Sequence, residues 1–496
     1  MPMMLHTIAV DLGASSGKLF RCSFDGRRLK AENCARFPNR PLSADGHIYW
    51  DTPGLFEAIK HGVRYACRND SAASLSIDSF GQDFALLSNG AALGYIRHYR
   101  DASNAQAMDL VRARMSSEKI FKTTGAKPYS GASLVQLLQM LQTQKDADML
   151  LFTPDYYQYL LSGVTATEPT IASTSMMLEG SLWSASILSA FDIGRYLPPV
   201  VETGTVLGPS VCEDLPGSMQ VITGAGHDTA AAVATMPDPN AVFLVCGTWS
   251  LMGVCTDRTI TSDDAFLMGF TNQRAANGQN RFMKSFSALW ILQQCEKEFG
   301  IVPSESVALA KRAKPFLRFI DPLSEHFFLT DNMPKRIQQF LRATGQPVCE
   351  EIGDYVRCIL ESIALTYRLI FEQLQAVTKT QYDTIYMLGG GVNNDLLCRF
   401  AADATGRLLI GGSPDSSAAG NGLVQLKALG VITFKDFADI ASRSFDYKEY
   451  PPQNSSDWEE PYAAFVEICR RASLSRLPLP QAPTDKDNIH GGKNLI

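Results

Sequence analysis

Asp11 closes the apolar run Ile8-Ala9-Val10, and small residues follow it in Gly13-Ala14-Ser15-Ser16-Gly17 before Lys18. A second extended run, Leu19–Phe24, begins at once. The stretch predicts a β-hairpin whose tip exposes backbone N–H groups; such a tip can hold phosphate oxygens while Asp11 faces a metal ion. It differs from a P-loop or a dinucleotide fingerprint, both of which turn from strand into helix. Taken alone, it reads equally well as an ordinary Gly-Ser hairpin turn.

Three further stretches have chemistry to offer: Gly226-His227-Asp228-Thr229-Ala230, Cys246-Gly247-Thr248-Trp249-Ser250 and Gly389-Gly390-Gly391-Val392-Asn393. Each has a plainer use. Asp228 is placed to be a helix N-cap, His227 a satisfied core histidine, Thr248 a hairpin residue, and the triple glycine a tightly packed turn. Meeting in one cleft, they would suit phosphoryl transfer, which needs positioning and charge neutralisation more than covalent help. Asp11 suits Mg²⁺, which takes one or two carboxylates plus phosphate oxygens. Asp228 suits the base that accepts the proton of the attacking hydroxyl.

The elements that must position these residues are strands at Leu5–Val10, Lys18–Phe24, Leu29–Phe37 and Ser74–Phe80, with a helix over Pro53–Cys67. Helical periodicity dominates from about Ala102 to Leu161, punctuated by Pro128 and Pro154. The opening pattern then returns: Ala241–Cys246 is an apolar run, Gly247-Thr248 a turn, Trp249–Cys255 a second extended run. Asp354–Leu374 carries apolar residues at helical spacing and leads to a strand at Thr384–Leu388, just before the glycines. Two halves that each open on strand, turn and strand imply a duplicated α/β architecture. The boundary is expected near Met236–Pro239, giving domains 1–236 and 237–450, a helical extension 451–476 and a mobile tail 477–496.

The 45 basic residues against 51 acidic leave a net charge of −6 with no basic block, which argues against nucleic acid or an anionic membrane as partner. No apolar run reaches membrane-spanning length, and the first strand starts within a few residues of Met1, so a cytoplasmic location is expected. Eleven scattered cysteines without a C-x-x-C pair read as small buried hydrophobes.

These residues resemble the FGGY family of carbohydrate kinases, of the actin/sugar kinase/Hsp70 superfold, and within it the rhamnulokinase branch. The resemblance rests on Val10–Gly17, Trp50-Asp51, Ile77–Phe84, Tyr99-Arg100-Asp101 and Pro154-Asp155-Tyr156. It continues through His227-Asp228-Thr229, Gly247–Gly253, Leu289–Gln293 and the triple glycine, in family order over roughly residues 5 to 450. It implies a two-domain actin-like (ribonuclease H-like) α/β fold with ATP and sugar in the interdomain cleft. ATP would be contacted by Ala14, Ser15, Ser16, Gly17, Lys18, Thr248, Gln293 and a glycine of Gly389–Gly391. The ketose would be contacted by Gly81, His227, Asp228 and Thr229, with Asp228 as general base and Asp11 near Mg²⁺. The implied reaction moves the γ-phosphoryl group of ATP to the C1 hydroxyl of L-rhamnulose, with hinge closure expelling water. The small molecules are the expected partners, to a monomer or a homodimer alike.

Departures from the branch pattern fall on the sugar side. Phe80 and Gln82 flank Gly81 where Trp and Val are usual, and Ser285 replaces a sugar-contacting Asn. Gln82 offers donors and an acceptor that Val lacks, so the preferred sugar is open to L-fuculose, L-xylulose, L-ribulose or D-xylulose. A sugar-sensing pseudokinase is the more distant alternative; the presence of Asp11 and Asp228 argues against it.

Overall fold

The structure, a computed structural model, describes residues 4–215, 219–328 and 332–474. The expected tail 477–496 lies outside the described residues. The chain forms two compact units: Met1–Phe286 with Tyr367–Ser455, and Ser287–Thr366 with the described residues from Ser456 onward.

The first unit contains both large sheets. In one, the order is Thr205–Pro209, Gln220–Thr223, Ser74–Ser79, Leu5–Leu12, Ser16–Phe24, Leu29–Pro38. Ile8, Ala9, Val10 and Leu12 are all 0% exposed, so the central strand is covered on both faces and reads as a continuous apolar run. It pairs antiparallel with Ser16–Phe24 and parallel with Ser74–Ser79. Beyond these lie the parallel Gln220–Thr223 and, at the edge, the antiparallel Thr205–Pro209. The second sheet repeats this succession. Val242–Cys246 takes the central place, with Trp249–Thr256 antiparallel beside it. Thr384–Leu388 and Leu408–Gly411 run parallel on the other side, and Lys448–Tyr450 closes the edge antiparallel. The duplication expected from the two hairpins is thus one of strand direction as well.

Parallel neighbours need long crossovers, usually helical. The helix Ser416–Ala428 packs on Leu5–Leu12 and Ser74–Ser79 and against the short helix Asp228–Val233. That approach is so close that a Cβ at Gly420 would sit 1.8 Å from the Ala231 carbonyl oxygen, which makes glycine obligatory there.

The stretch expected to be helical over 102–161 divides into helices Ser103–Arg114, Ser117–Thr124, Ser133–Met140 and Thr153–Ser162, with a strand at Met149–Phe152 among them. This strand pairs antiparallel with Phe84–Ser88. Periodicity cannot separate four consecutive apolar residues of a buried strand from a turn of buried helix. Phe84, Val111, Leu134, Phe152 and Met177 belong to one apolar cluster beneath these elements.

The second unit is helical, built from Leu289–Phe299, Pro303–Arg312, Met333–Ala343, the first part of Ile352–Thr378, and Glu459–Leu474. Val356, Ile359, Leu360 and Ile363 are fully buried along the long helix. Phe316–Trp458 and Phe319–Phe465 ring contacts tie the C-terminal segment to the loop after Pro303–Arg312. Among the described residues no helix is long and apolar enough to cross a membrane.

Candidate active site

Asp11 and Lys18 face each other across the first hairpin, and Asp11 is also in parallel register with Asp78 on the neighbouring strand. The tip is narrow: Gly13 N–H donates to the Ser16 carbonyl (3.1 Å), and the Asn39 amide donates to the Gly13 carbonyl (2.9 Å). Ala14, Ser15 and Ser16 form the turn, with Ser15 exposed. Gly17 is dictated by packing, because a Cβ there would lie 2.1 Å from the Phe37 ring.

The helix Ser416–Ala428 supplies partners that sequence reasoning missed. Ser417 Oγ donates to Asp11 Oδ2 (2.7 Å), Asn421 Nδ2 to Asp78 Oδ2 (2.6 Å), and Gln425 Oε1 accepts from Ser74 Oγ (2.7 Å). Just before the helix, Asp415 accepts from Lys18 Nζ at 2.8 Å. Positions 417, 421 and 425 share one helix face, so a polar stripe at four-residue spacing in an otherwise small and apolar helix was the available signal.

His227 is joined to the end of Ser74–Ser79 through an isolated parallel bridge with Ser79. His227, not Asp228, takes the cap position of the short helix, and Asp228 is its first residue. Asp228 Oδ1 accepts the Thr229 N–H (2.5 Å) and hydroxyl (3.1 Å), and the side chain stays 29% exposed. Among the described residues Oδ2 accepts no hydrogen bond. Burial, then the neighbouring Asp11 charge, push the Asp228 carboxyl up to about 7. Asp78, fully buried, is raised by burial and by the same Asp11 charge. Asp11 itself is raised by burial, against the Ser417 hydrogen bond and Lys18.

Among the described residues no group of three or more His, Cys, Asp or Glu is placed to hold a metal ion. A magnesium ion asks for less, one or two carboxylates with phosphate oxygens and water, and Asp11, close enough to Asp78 and Asp228 to raise both, would be the carboxylate to supply it.

On the sugar side named by the sequence, Gly81 packs against Thr174, where a Cβ would come to 2.9 Å. Gln82 has φ +83°, its N–H donates to Thr174 Oγ1 (3.2 Å), its carbonyl accepts from Ser133 (2.6 Å), and among the described residues its buried Oε1 has no partner. Next to it, the buried Asp83 accepts from Trp50 Nε1 (2.6 Å), Tyr99 N–H (3.2 Å) and Gln136 Nε2 (2.9 Å). Phe80 packs on Trp50 at 4.7 Å. Ser285 is the exposed residue of the otherwise buried strand Asn280–Ser287.

In the second sheet, Gly247 and Thr248 turn the hairpin, with Gly247 N–H on the Trp249 carbonyl (2.8 Å). The triple glycine runs against the end of the central strand. A Cβ at Gly391 would meet Cys246 Sγ at 2.2 Å, and one at Gly389, whose φ is +81°, would sit 3.1 Å from the Cys246 carbonyl oxygen. Packing accounts for those two. A Cβ on Gly390 would meet nothing within 4 Å, so its smallness serves open space. Gln293 lies on Leu289–Phe299, in the second compact unit.

The chain matches the N-terminal domain of the FGGY family of carbohydrate kinases over residues 6–234 and its C-terminal domain over 242–429. It is 36% identical to the rhamnulokinase of Bacteroides thetaiotaomicron over 94% of this chain and 100% of that one. With the rhamnulokinase of Bacillus subtilis the identity is 30%, over 91% and 96%. Among solved structures, the ligand-bound xylulose kinase of Lactobacillus acidophilus superposes with a TM-score of 0.78 at 15% identity, covering 95% of this chain and 99% of that one. Plasmodium falciparum glycerol kinase with ADP gives 0.75 at 14% identity, over 96% and 99%. These structures share the fold, and the sequence matches, which span nearly the whole chain, place it in the FGGY family of carbohydrate kinases.

Proposed function

We propose that this ATP-dependent sugar kinase phosphorylates the C1 hydroxyl of a ketose, L-rhamnulose first among candidates, with Asp228 as the general base. The supporting observation is the Asp228 carboxyl itself. One oxygen is anchored by Thr229, the other accepts no hydrogen bond among the described residues, and its pKa of about 7 matches a base working near neutral pH. His227 and Thr229 would hold the sugar beside it. Ala14–Lys18, Thr248 and Gly390 would hold ATP, on a sugar-side domain 1–236 and a nucleotide-side domain 237–450. Magnesium, held at Asp11 with the triphosphate, would neutralise charge on the transferred group. The rhamnulokinases among the relatives favour L-rhamnulose. The amide oxygen of Gln82, without a partner among the described residues, favours a second reading, the same chemistry on another ketose.

ADP release with ATP and Mg²⁺ across L-rhamnulose, L-fuculose, L-xylulose, L-ribulose, D-xylulose and glycerol tests both. Turnover should be low without sugar and highest with L-rhamnulose; a preference for another ketose selects the second reading, and no sugar stimulation at all rejects both. Asp228→Asn should retain sugar binding and lose about 10²- to 10⁴-fold in kcat, because an amide cannot take the proton. Near-normal kcat in that variant would remove Asp228 from the role of base.

A further inference from the structure

Arg281 is 0% exposed, on the strand Asn280–Ser287. Its Nε donates to the Arg274 carbonyl (3.1 Å), and its Nη2 lies 3.3 Å from Gln273 Oε1 and 2.8 Å from His227 Nδ1. Among the described residues no carboxylate comes within ion-pair distance of it, so a buried charge is being used for something other than a salt bridge. Burial lowers its pKa to about 10, which leaves it cationic at neutral pH.

The hydrogen bond to His227 has one possible direction. A guanidinium has donors and no acceptor, so Nδ1 must present its lone pair. The proton of the neutral ring is then on Nε2, which points at Asp228 Oδ1 from 3.5 Å. That separation is longer than a good hydrogen bond, and among the described residues the Nε2–H has no other acceptor, so it can donate to a ligand oxygen beside the carboxylate. An imidazolium would turn Nδ1 into a donor facing a donor and set two cations 2.8 Å apart. The charged groups facing the ring are Arg281 on one side and Asp228 on the other, with the Glu168 carboxyl bonded to the adjacent Gly226 N–H (2.9 Å). Burial and the Arg281 charge both depress the His227 pKa.

We propose that Arg281 is a positioning residue that locks His227 as the neutral Nε2–H tautomer, so that one sugar hydroxyl meets an imidazole donor and the Asp228 carboxylate together. The clause about the sugar rests on the function proposed above; the tautomer does not. A neutral ring also spares Asp228 an ion pair that would drain its basicity.

The full-length protein labelled with ¹⁵N-histidine, without substrate, tests the lock directly, the His227 resonances being identified by their loss in His227→Gln. Wild type should show a protonated Nε2 and an unprotonated Nδ1 from pH 6 to 8. A protonated Nδ1, in either the other tautomer or the imidazolium, overturns the proposal whatever the enzyme turns over. In Arg281→Met the ring should exchange tautomers or titrate in that range, and the sugar KM should rise about tenfold, the effect of one lost hydrogen bond of about 1.4 kcal/mol. The ATP KM should stay within about twofold. Arg281→Lys, which keeps the charge and a donor, should recover part of the sugar KM and the Nε2–H signature. Retention of both signature and sugar KM in Arg281→Met shows that the arginine does not set the tautomer; should that variant not fold, the wild-type spectrum and Arg281→Lys decide the matter.

Discussion

A residue other than glycine at φ +83° costs free energy, and Gln82 bears that cost while its buried amide oxygen has no partner among the described residues. Two unfavourable features at one residue, next to Gly81 and Asp83, are what a substrate contact under the proposed function would account for. Valine, usual there in the rhamnulokinase pattern, is a poor probe at this φ because β-branching deepens the strain. Methionine keeps the length and removes the amide. Gln82→Met should change the ranking of ketoses, with sugar KM moving about three- to tenfold for one hydrogen bond, and leave the KM for ATP alone. An unaltered sugar ranking would show that the amide does not address the substrate. Residues of this sort differ in how far a sequence exposes them. His227-Asp228-Thr229 is contiguous and legible as a motif. Arg281, in the strand Asn280–Ser287, has nothing around it in sequence that separates it from a surface charge, and only the fold buries it against His227.

Elements were legible where their signal was local. Both hairpins, the helix Thr52–Ala66 and the long helix Ile352–Thr378 follow from runs, turns and periodicity. The strand Met149–Phe152 did not, and neither did the pairing of Lys18 with Asp415, 397 residues away. Asp83 shows how such distant elements are fastened. Its carboxylate takes donors from the end of the strand His47–Trp50, from the loop before Ser103–Arg114 and from the helix Ser133–Met140, and its carbonyl accepts from Thr153 N–H (2.9 Å) and hydroxyl (3.0 Å). With donors on both oxygens, Asp83→Asn must turn an NH₂ toward another N–H. The variant should lose about 1–3 kcal/mol of stability and weaken sugar KM more than ATP KM. Thermal unfolding beside steady-state kinetics would measure both; an unchanged melting temperature would mean that the donors around Asp83 are dispensable.

At the scale of the whole molecule, buried acids set the pH dependence of stability. Desolvation raises Asp83 to about 7 and raises Asp155, Glu168 and Glu361 as well, in both compact units. A carboxyl whose folded pKa exceeds its unfolded value near 4 releases its proton from the unfolded chain first, so stability falls as pH climbs from there through the folded pKa. Histidines act in the opposite sense. His98, stacked between Trp50 and Tyr99, is lowered to about 3 by burial and Arg100, and His227 is lowered too. For these the unfolded chain binds the extra proton, so stability rises with pH up to the unfolded histidine value near 6.5 and is level above it. Between about pH 4 and 6.5 the two groups oppose each other; from 6.5 to 8 the histidine contribution is level while Asp83, at about 7, still titrates. Scanning calorimetry should therefore find the melting temperature lower at pH 8 than at pH 6.5 by about 2 °C or more, with a smaller drop in Asp83→Asn. A flat or rising profile over that interval would mean that the hydrogen-bond donors around these carboxylates outweigh their desolvation and hold them ionised well below neutrality.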